Sequence, residues 1–195
     1  RNTRLFFILI VFMLCHQSLA CTNFLVTKGA SVDGSNFITY CADSHIRYGE
    51  LYFTPAADWP AGSMRVCYDR GTNRPRGSVP QPAHTYQVVG YINEYQVALG
   101  ETTFGGRPEL MDETGIVDYG SLMFIALERS KTAREAIKVM ADLVENYGYG
   151  SDGESFSISD PNEVWYMEIM PKGYTPQVTK NGETINADRG AVWVA

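Results

Sequence analysis

The order of hydrophobic periods along the chain constrains the fold more than any other feature. Short period-two segments bounded by turn residues occupy both ends, and one block of 3.6-residue periodicity lies between them. Thr22–Lys28 and Asn36–Cys41 read as strands joined by a turn at Val32-Asp33-Gly34-Ser35. Tyr86–Tyr91 and Gln96–Gly100 read as a second hairpin turning at Asn93-Glu94 and running on into Glu101-Thr102-Thr103-Phe104-Gly105-Gly106. Two helices follow. Asp118 is placed to cap the first, whose Leu122–Leu127 stretch is apolar nearly all round, as befits a buried helix. Thr132-x-x-Glu135 is a capping box for the second, in which Ala133, Ile137, Met140, Ala141 and Val144 share one face until Gly148 and Gly150 end it. Ser155–Ser159, the turn Asp160-Pro161-Asn162-Glu163 and Val164–Met170 make a third hairpin. The sequence predicts an α+β fold, with two antiparallel sheets and helices stacked outside them. Residues 55–83, rich in Pro and Gly, read as a long surface excursion over the site. Ala191–Ala195 reads as a strand with no turn or polar tail behind it, which predicts that the natural chain continues.

Residues 1–20 have the form of a secretory signal and 21–195 of the domain it exports to the periplasm or the cell exterior. Arg1 and Arg4 supply a positive start, Leu5 to Cys15 an apolar run too short for a permanent anchor, and Ser18-Leu19-Ala20 a small-x-small cleavage site. Cleavage after Ala20 makes Cys21 the N-terminus. A terminal Cys holds a thiol of pKa about 8.5 beside an amine of about 7.7–8.0. The amine can take the thiol proton near neutral pH, so nucleophile and base come in one residue. A competing reading is a lipoprotein, whose Cys is capped by lipid and serves as an anchor. Its signal prefers a large aliphatic residue three places before Cys, whereas Ser18-Leu19-Ala20 precede it here. That reading makes the chain a lipid-anchored surface binding protein with no free thiol at Cys21 and no hydrolysis. A chance Cys at this position is the third option.

The remaining chemistry is sparse. Cys41 and Cys67 are either buried apolar residues or one bridge, and a core of this size needs no staple. His45 and His84 have no telling neighbours and read as surface or structural residues. No CxxC, HExxH, acidic Ca²⁺ loop, G-x-S-x-G or phosphate-binding loop is present, so neither a metal nor a cofactor is expected. The chain has 16 Lys+Arg against 22 Asp+Glu; without Arg1 and Arg4 the count is 14 against 22, a net −8. That balance excludes nucleic acid as a partner, because phosphates demand a basic face. No membrane association is expected after signal cleavage unless Cys21 is lipidated.

The stretch from Cys21 (CTNFLVTKGASVDGS), with Ala42-Asp43-Ser44 after it, resembles the start of the cysteine dipeptidases of the dipeptidase A family. These are members of the N-terminal-nucleophile hydrolases. Asn93-Glu94 ahead of Val97–Thr103, Lys131–Ala136 and Asp160–Trp165 are similar to the same family, in order and at matching spacing. The likeness extends over residues 21–195 and is greatest to exported Bacteroidetes-type members. It implies a four-layer αββα sandwich, a longer chain and hydrolysis of dipeptides without a cofactor. It also implies that Cys21 is the nucleophile and that Asp43 is the acid beside the terminal amine, where a carboxylate orients the amine and stabilises its protonated form. Two departures stand out. Penicillin V acylase and bile salt hydrolase carry Arg where this chain has Tyr40, and Asn is usual where it has Cys41. The relatives' oxyanion-hole Asn falls beyond residue 195. Tyr40, Asn93, Glu101 and Thr102 are candidates for lining the pocket or the oxyanion site. Glu101 reads either as a partner for a substrate ammonium or as a solvated loop carboxylate. A third functional reading keeps the chemistry and changes the substrate to another small amide.

Overall fold

A computed structural model describes residues 21–44 and 49–195; the proposed leader and His45 lie outside the described residues. Strands β1 (Leu25–Val26) and β2 (Phe37–Ile38) form the expected first hairpin, extended by a bridge between Thr22 and Cys41. The strands that follow are β3 (Phe53–Thr54), β4 (Ala57–Asp58), β5 (Met64–Tyr68), β6 (Pro75–Pro80), β7 (His84–Thr85), β8 (Val88–Val89), β9 (Ile92–Asn93) and β10 (Ala98–Gly105). After α1 (Tyr119–Arg129) and α2 (Ala133–Tyr147) come β11 (Gly153–Ser159), β12 (Val164–Pro171), β13 (Pro176–Val178), β14 (Thr184–Asn186) and β15 (Ala191–Val194). Seven strands make one sheet in the order β15-β12-β11-β10-β9-β8-β3, and every pair given for it is antiparallel. The remaining four pairs, β1-β2, β4-β7, β5-β6 and β13-β14, are two-stranded.

Local chemistry sets the helix ends. Asp118 Oδ1 accepts the Ser121 N–H at 2.7 Å and starts α1. Thr132 Oγ1 accepts the Glu135 N–H at 3.1 Å and starts α2, while Glu135 reaches back to the Lys131 N–H at 2.7 Å. Asp160 serves two elements. Oδ1 takes the N–H groups of Asn162 and Glu163 in the β11–β12 turn, and Oδ2 takes that of Ala133 in α2. Leu122, Met123, Ile125 and Leu127 of α1 and Ala136, Ile137, Met140, Leu143 and Val144 of α2 join Leu99, Phe156, Ile158, Met167 and Ile169 of the sheet in one core. Each fully buried large side chain of this kind contributes about 1.5–3 kcal/mol. Ala141, expected on the buried face of α2, is only partly buried, while Ala136 and Leu143 are buried.

The Pro/Gly-rich stretch is more ordered than its composition suggests. It contains the β5–β6 hairpin, with Cys67 and Val79 buried in the core. Arg65 pairs with the buried Glu128 of α1 at 2.9 Å and ties that hairpin down. Cys67 is a buried free thiol as expected, but Cys41 is an exposed one and the two are not bridged. His84 pairs with Asp58 on the surface at 2.7 Å. No helix among the described residues is long and apolar enough to cross a membrane.

Candidate active site

Strand β10 is the spine of the site. It pairs with β11 along its length, but with β9 only through Ala98 and Ile92. Beyond Ala98, the chain around Cys21 and Tyr40 reaches it instead. Asn23 Nδ2 donates to the Glu101 carbonyl and to Ser157 Oγ, both at 3.1 Å, and pins the segment after Cys21 onto the sheet. Tyr40 lies over Gly100, where a Cβ would sit only 2.9 Å from the Tyr40 Cβ. A glycine is needed there for the two segments to approach.

The result is a cavity of about 960 Å³ whose wall includes Cys21, Tyr40, Asp43, Tyr91, Glu101 and Thr103, with Arg70 and Tyr119 farther along. That volume suits a small ligand. Cys21 Sγ lies 3.8 Å from Glu101 Oε1, and the Tyr40 hydroxyl donates to the same oxygen at 2.6 Å. Burial pushes the Cys21 thiol up, and the charges of Glu101 and Asp43 push the same way. The backbone N–H groups of Asp43 and Thr103 oppose them by donating toward sulfur. The free site therefore holds the thiol in its protonated form until a base takes the proton. Burial and the bond to Glu101 raise the Tyr40 phenol far above its ordinary range, so Tyr40 acts as a donor.

Glu101 is 3% exposed and Glu154, on the adjoining strand, 1%. Glu154 Oε1 accepts from Thr103 Oγ1 at 2.9 Å. The Oε2 atoms of both glutamates are buried with no ordinary donor. Their carboxyl groups meet each other, and burial plus the Glu101 charge pushes Glu154 up to about 9. Two buried carboxylates in contact cannot both ionise at neutral pH, so the pair holds a proton between them.

The structure thus brings together Cys21, Tyr40, Asp43 and Glu101 among the residues the sequence nominated. Glu101 belongs to a strand and is buried, not a solvated loop carboxylate. Asn93 is placed elsewhere. Its Nδ2 donates to the Leu127 and Ser130 carbonyls and its Oδ1 accepts from the Tyr95 and Val97 N–H groups. With its amide fully committed to the end of α1 and to its own turn, it does not reach the cavity. Thr102 also misses the cavity wall, because strand alternation turns it away and presents Thr103 on the Glu101 side. Sequence reasoning missed Thr103, Arg70, Tyr91 and Glu154. Glu154 carries a readable signal, since it shares the buried register of Phe156 and Ile158. Arg70 carries none, being one of several charges in the β5–β6 turn. No group of three or more His, Cys, Asp or Glu residues among those described is arranged to hold a metal ion.

A thiol and a buried acid 3.8 Å apart thus share the wall of a cavity that suits a small ligand. The model of Peptidase family C69 matches residues 51–195, and the chain belongs to that family. A probable dipeptidase of Latilactobacillus sakei is 29% identical over 170 residues, covering 77% of this chain and 35% of the relative. A probable dipeptidase B of Streptococcus pyogenes serotype M1 is 25% identical over 182 residues, covering 84% of this chain and 36% of the relative. A probable dipeptidase B of Lactococcus lactis subsp. lactis is 27% identical over 166 residues, 77% of this chain and 35% of the relative. The chain spans about a third of the length of these curated relatives.

Proposed function

We propose that this protein is an exported dipeptidase of the N-terminal-nucleophile type, with Cys21 as nucleophile after removal of residues 1–20. The observation that carries the reading is the 3.8 Å approach of Cys21 Sγ to the buried carboxylate of Glu101. In a dipeptide the free ammonium is two bonds from the scissile carbonyl carbon. An acid that holds the ammonium must therefore lie close to the attacking sulfur, as Glu101 does.

In this mechanism the Cys21 amine, oriented by Asp43, takes the thiol proton. Sulfur attacks the carbonyl, and the tetrahedral intermediate expels the second amino acid as its amine, which receives the proton from the Cys21 ammonium. A thioester remains on sulfur. Water, deprotonated by the same amine, attacks it and releases the first amino acid, and the proton returns to the thiol. Bound ammonium also neutralises Glu101, which removes one of the charges that oppose the thiolate. Substrate thereby helps to activate its own nucleophile. The proposal extends to an αββα sandwich in the whole protein, of which the seven-stranded sheet and two helices form half.

The test is mass analysis of the N-terminal peptide of the mature protein from its native host, with and without iodoacetamide, alongside hydrolysis of a dipeptide panel. A free amine on Cys21, a labelled sulfur and dipeptide turnover are expected. A lipid mass on the sulfur makes Cys21 an anchor and overturns the reading. Turnover only of acyl-amino acids or other amides replaces the substrate.

A further inference from the structure

We infer that Arg70 is the anchor for the substrate's free C-terminal carboxylate, so that the cavity measures out a zwitterion two residues long. The inference rests on the dipeptidase reading and assigns the half of the cavity that reading leaves undescribed.

The cavity wall carries both signs of charge, with Asp43, Glu50 and Glu101 against Arg70. Cys21 and Tyr40 meet the Glu101 carboxylate. Arg70 from the β5–β6 turn forms part of the same wall and reaches Tyr91, not Glu101, by hydrogen bond. Two tyrosines stand between the charges. Tyr40 and Tyr91 are in edge contact with ring centroids 5.0 Å apart, and the Tyr91 hydroxyl lies 3.2 Å from Arg70 Nη2. The guanidinium is built into place. Its carbon sits over the Phe124 ring at 5.7 Å, and Tyr91 stacks on the same ring with centroids 5.6 Å apart. Asp118 Oδ2 accepts the Arg70 N–H at 2.5 Å. The Arg70 stem lies against the first turn of α1 so closely that a Cβ on Gly120 would meet its Cδ at 2.9 Å.

Geometry then selects length. Two residues of extended chain span at most about 7 Å. Charge-assisted hydrogen bonds of about 2.8 Å at each end then call for roughly 12–13 Å between the protein's two charged groups, and Glu101 and Arg70 are linked through the successive contacts of Tyr40 and Tyr91. With the ammonium at Glu101 the scissile carbonyl faces Cys21, and the carboxylate of the second residue points toward Arg70. A tripeptide puts a neutral peptide group there instead. Arg suits the task because its planar fork matches a carboxylate.

The test compares a good dipeptide substrate with the same dipeptide amidated at its C-terminus, in the full protein and in Arg70→Met. The wild type is expected to favour the free acid by about 10- to 100-fold in kcat/KM, the range of one charge-assisted contact. Arg70→Met is expected to lose that factor through KM for the acid, with kcat and the amide's kinetics retained. Equal wild-type turnover of acid and amide overturns the inference, whatever the variant does. So does an equal loss on both substrates in an Arg70→Met protein whose Cys21 still takes iodoacetamide at the wild-type rate. If the wild type cleaves neither compound, the dipeptidase reading itself falls and this one falls with it.

Discussion

Cys21 Sγ and Glu101 Oε1 stand 3.8 Å apart, a thiol held against a buried acid. For catalysis by a thiolate this is unfavourable in the empty site and favourable once a cation occupies it. In the proposed mechanism the pair links recognition of an amino terminus to activation of the thiol.

Replacing Cys21 by Ala is expected to lower dipeptide hydrolysis by more than about 10³-fold, because no second thiol or hydroxyl in the wall lies where sulfur does. Initial rates on one dipeptide decide it, and near-normal turnover would sink the mechanism.

Glu101→Gln separates binding from activation. The change removes a charge that raises the Cys21 thiol, so the pH profile of iodoacetamide labelling is expected to move to lower pH. The same variant is expected to lose about 10- to 100-fold in kcat/KM on a free dipeptide, since the ammonium loses a charged partner. An unmoved labelling profile argues that Glu101 does not act on sulfur.

Glu154→Gln tests the shared proton. The folded protein holds Glu154 at about 9 against an ordinary value of 4.5. Below pH 4.5 both folded and unfolded states are protonated and the group costs nothing. Between 4.5 and 9 only the unfolded chain releases the proton, so wild-type stability falls as pH rises through that window and levels off above it. Gln cannot ionise, and its N–H₂ offers a donor beside Glu101. The variant's Tm is expected to gain on the wild type from pH 5 to pH 9. Parallel Tm curves would refute the assignment.

Asp118→Ala should cost about 1–2 kcal/mol of stability through loss of the α1 cap. It also frees the Arg70 backbone, so KM on the free dipeptide should rise while kcat is kept. Urea unfolding and steady-state kinetics read the two effects separately.

Much of this site can be read one residue at a time. Asp118, the Thr132–Glu135 box and the Asp160 turn each show themselves by local spacing, and their hydrogen bonds span no more than four residues apart from those that Asp118 and Asp160 also make to Arg70 and Ala133. Cys21 stands out by the signal-like pattern of the residues that precede it in the sequence. Asn93 and Thr102 show where such reading stops. Asn93 sits in a motif similar to a known family's, yet its four hydrogen bonds hold a turn and a helix end. Thr102 and Thr103 are identical in type and adjacent, and only the strand's alternation decides which one faces the cavity. The β5–β6 hairpin is hidden by its composition, because Pro75 and Pro80 at its ends and Gly77 within it resemble loop residues until pairing with β5 is visible.

By itself the sequence determined the order of elements, the helix caps and the α+β class, and it singled out Cys21, since these depend on periodicity and on patterns among near neighbours. Only the tertiary structure decided what surrounds the Cys21 thiol. Tyr40 lies 61 residues from Glu101 and Cys21 lies 80 from it. Glu154 follows Glu101 by 53 positions, and Arg70 comes from a turn with no local mark of function. Whether a carboxylate is solvated, shares a proton or opposes a thiol depends on burial and on charges a few ångströms away, and the folded chain sets both.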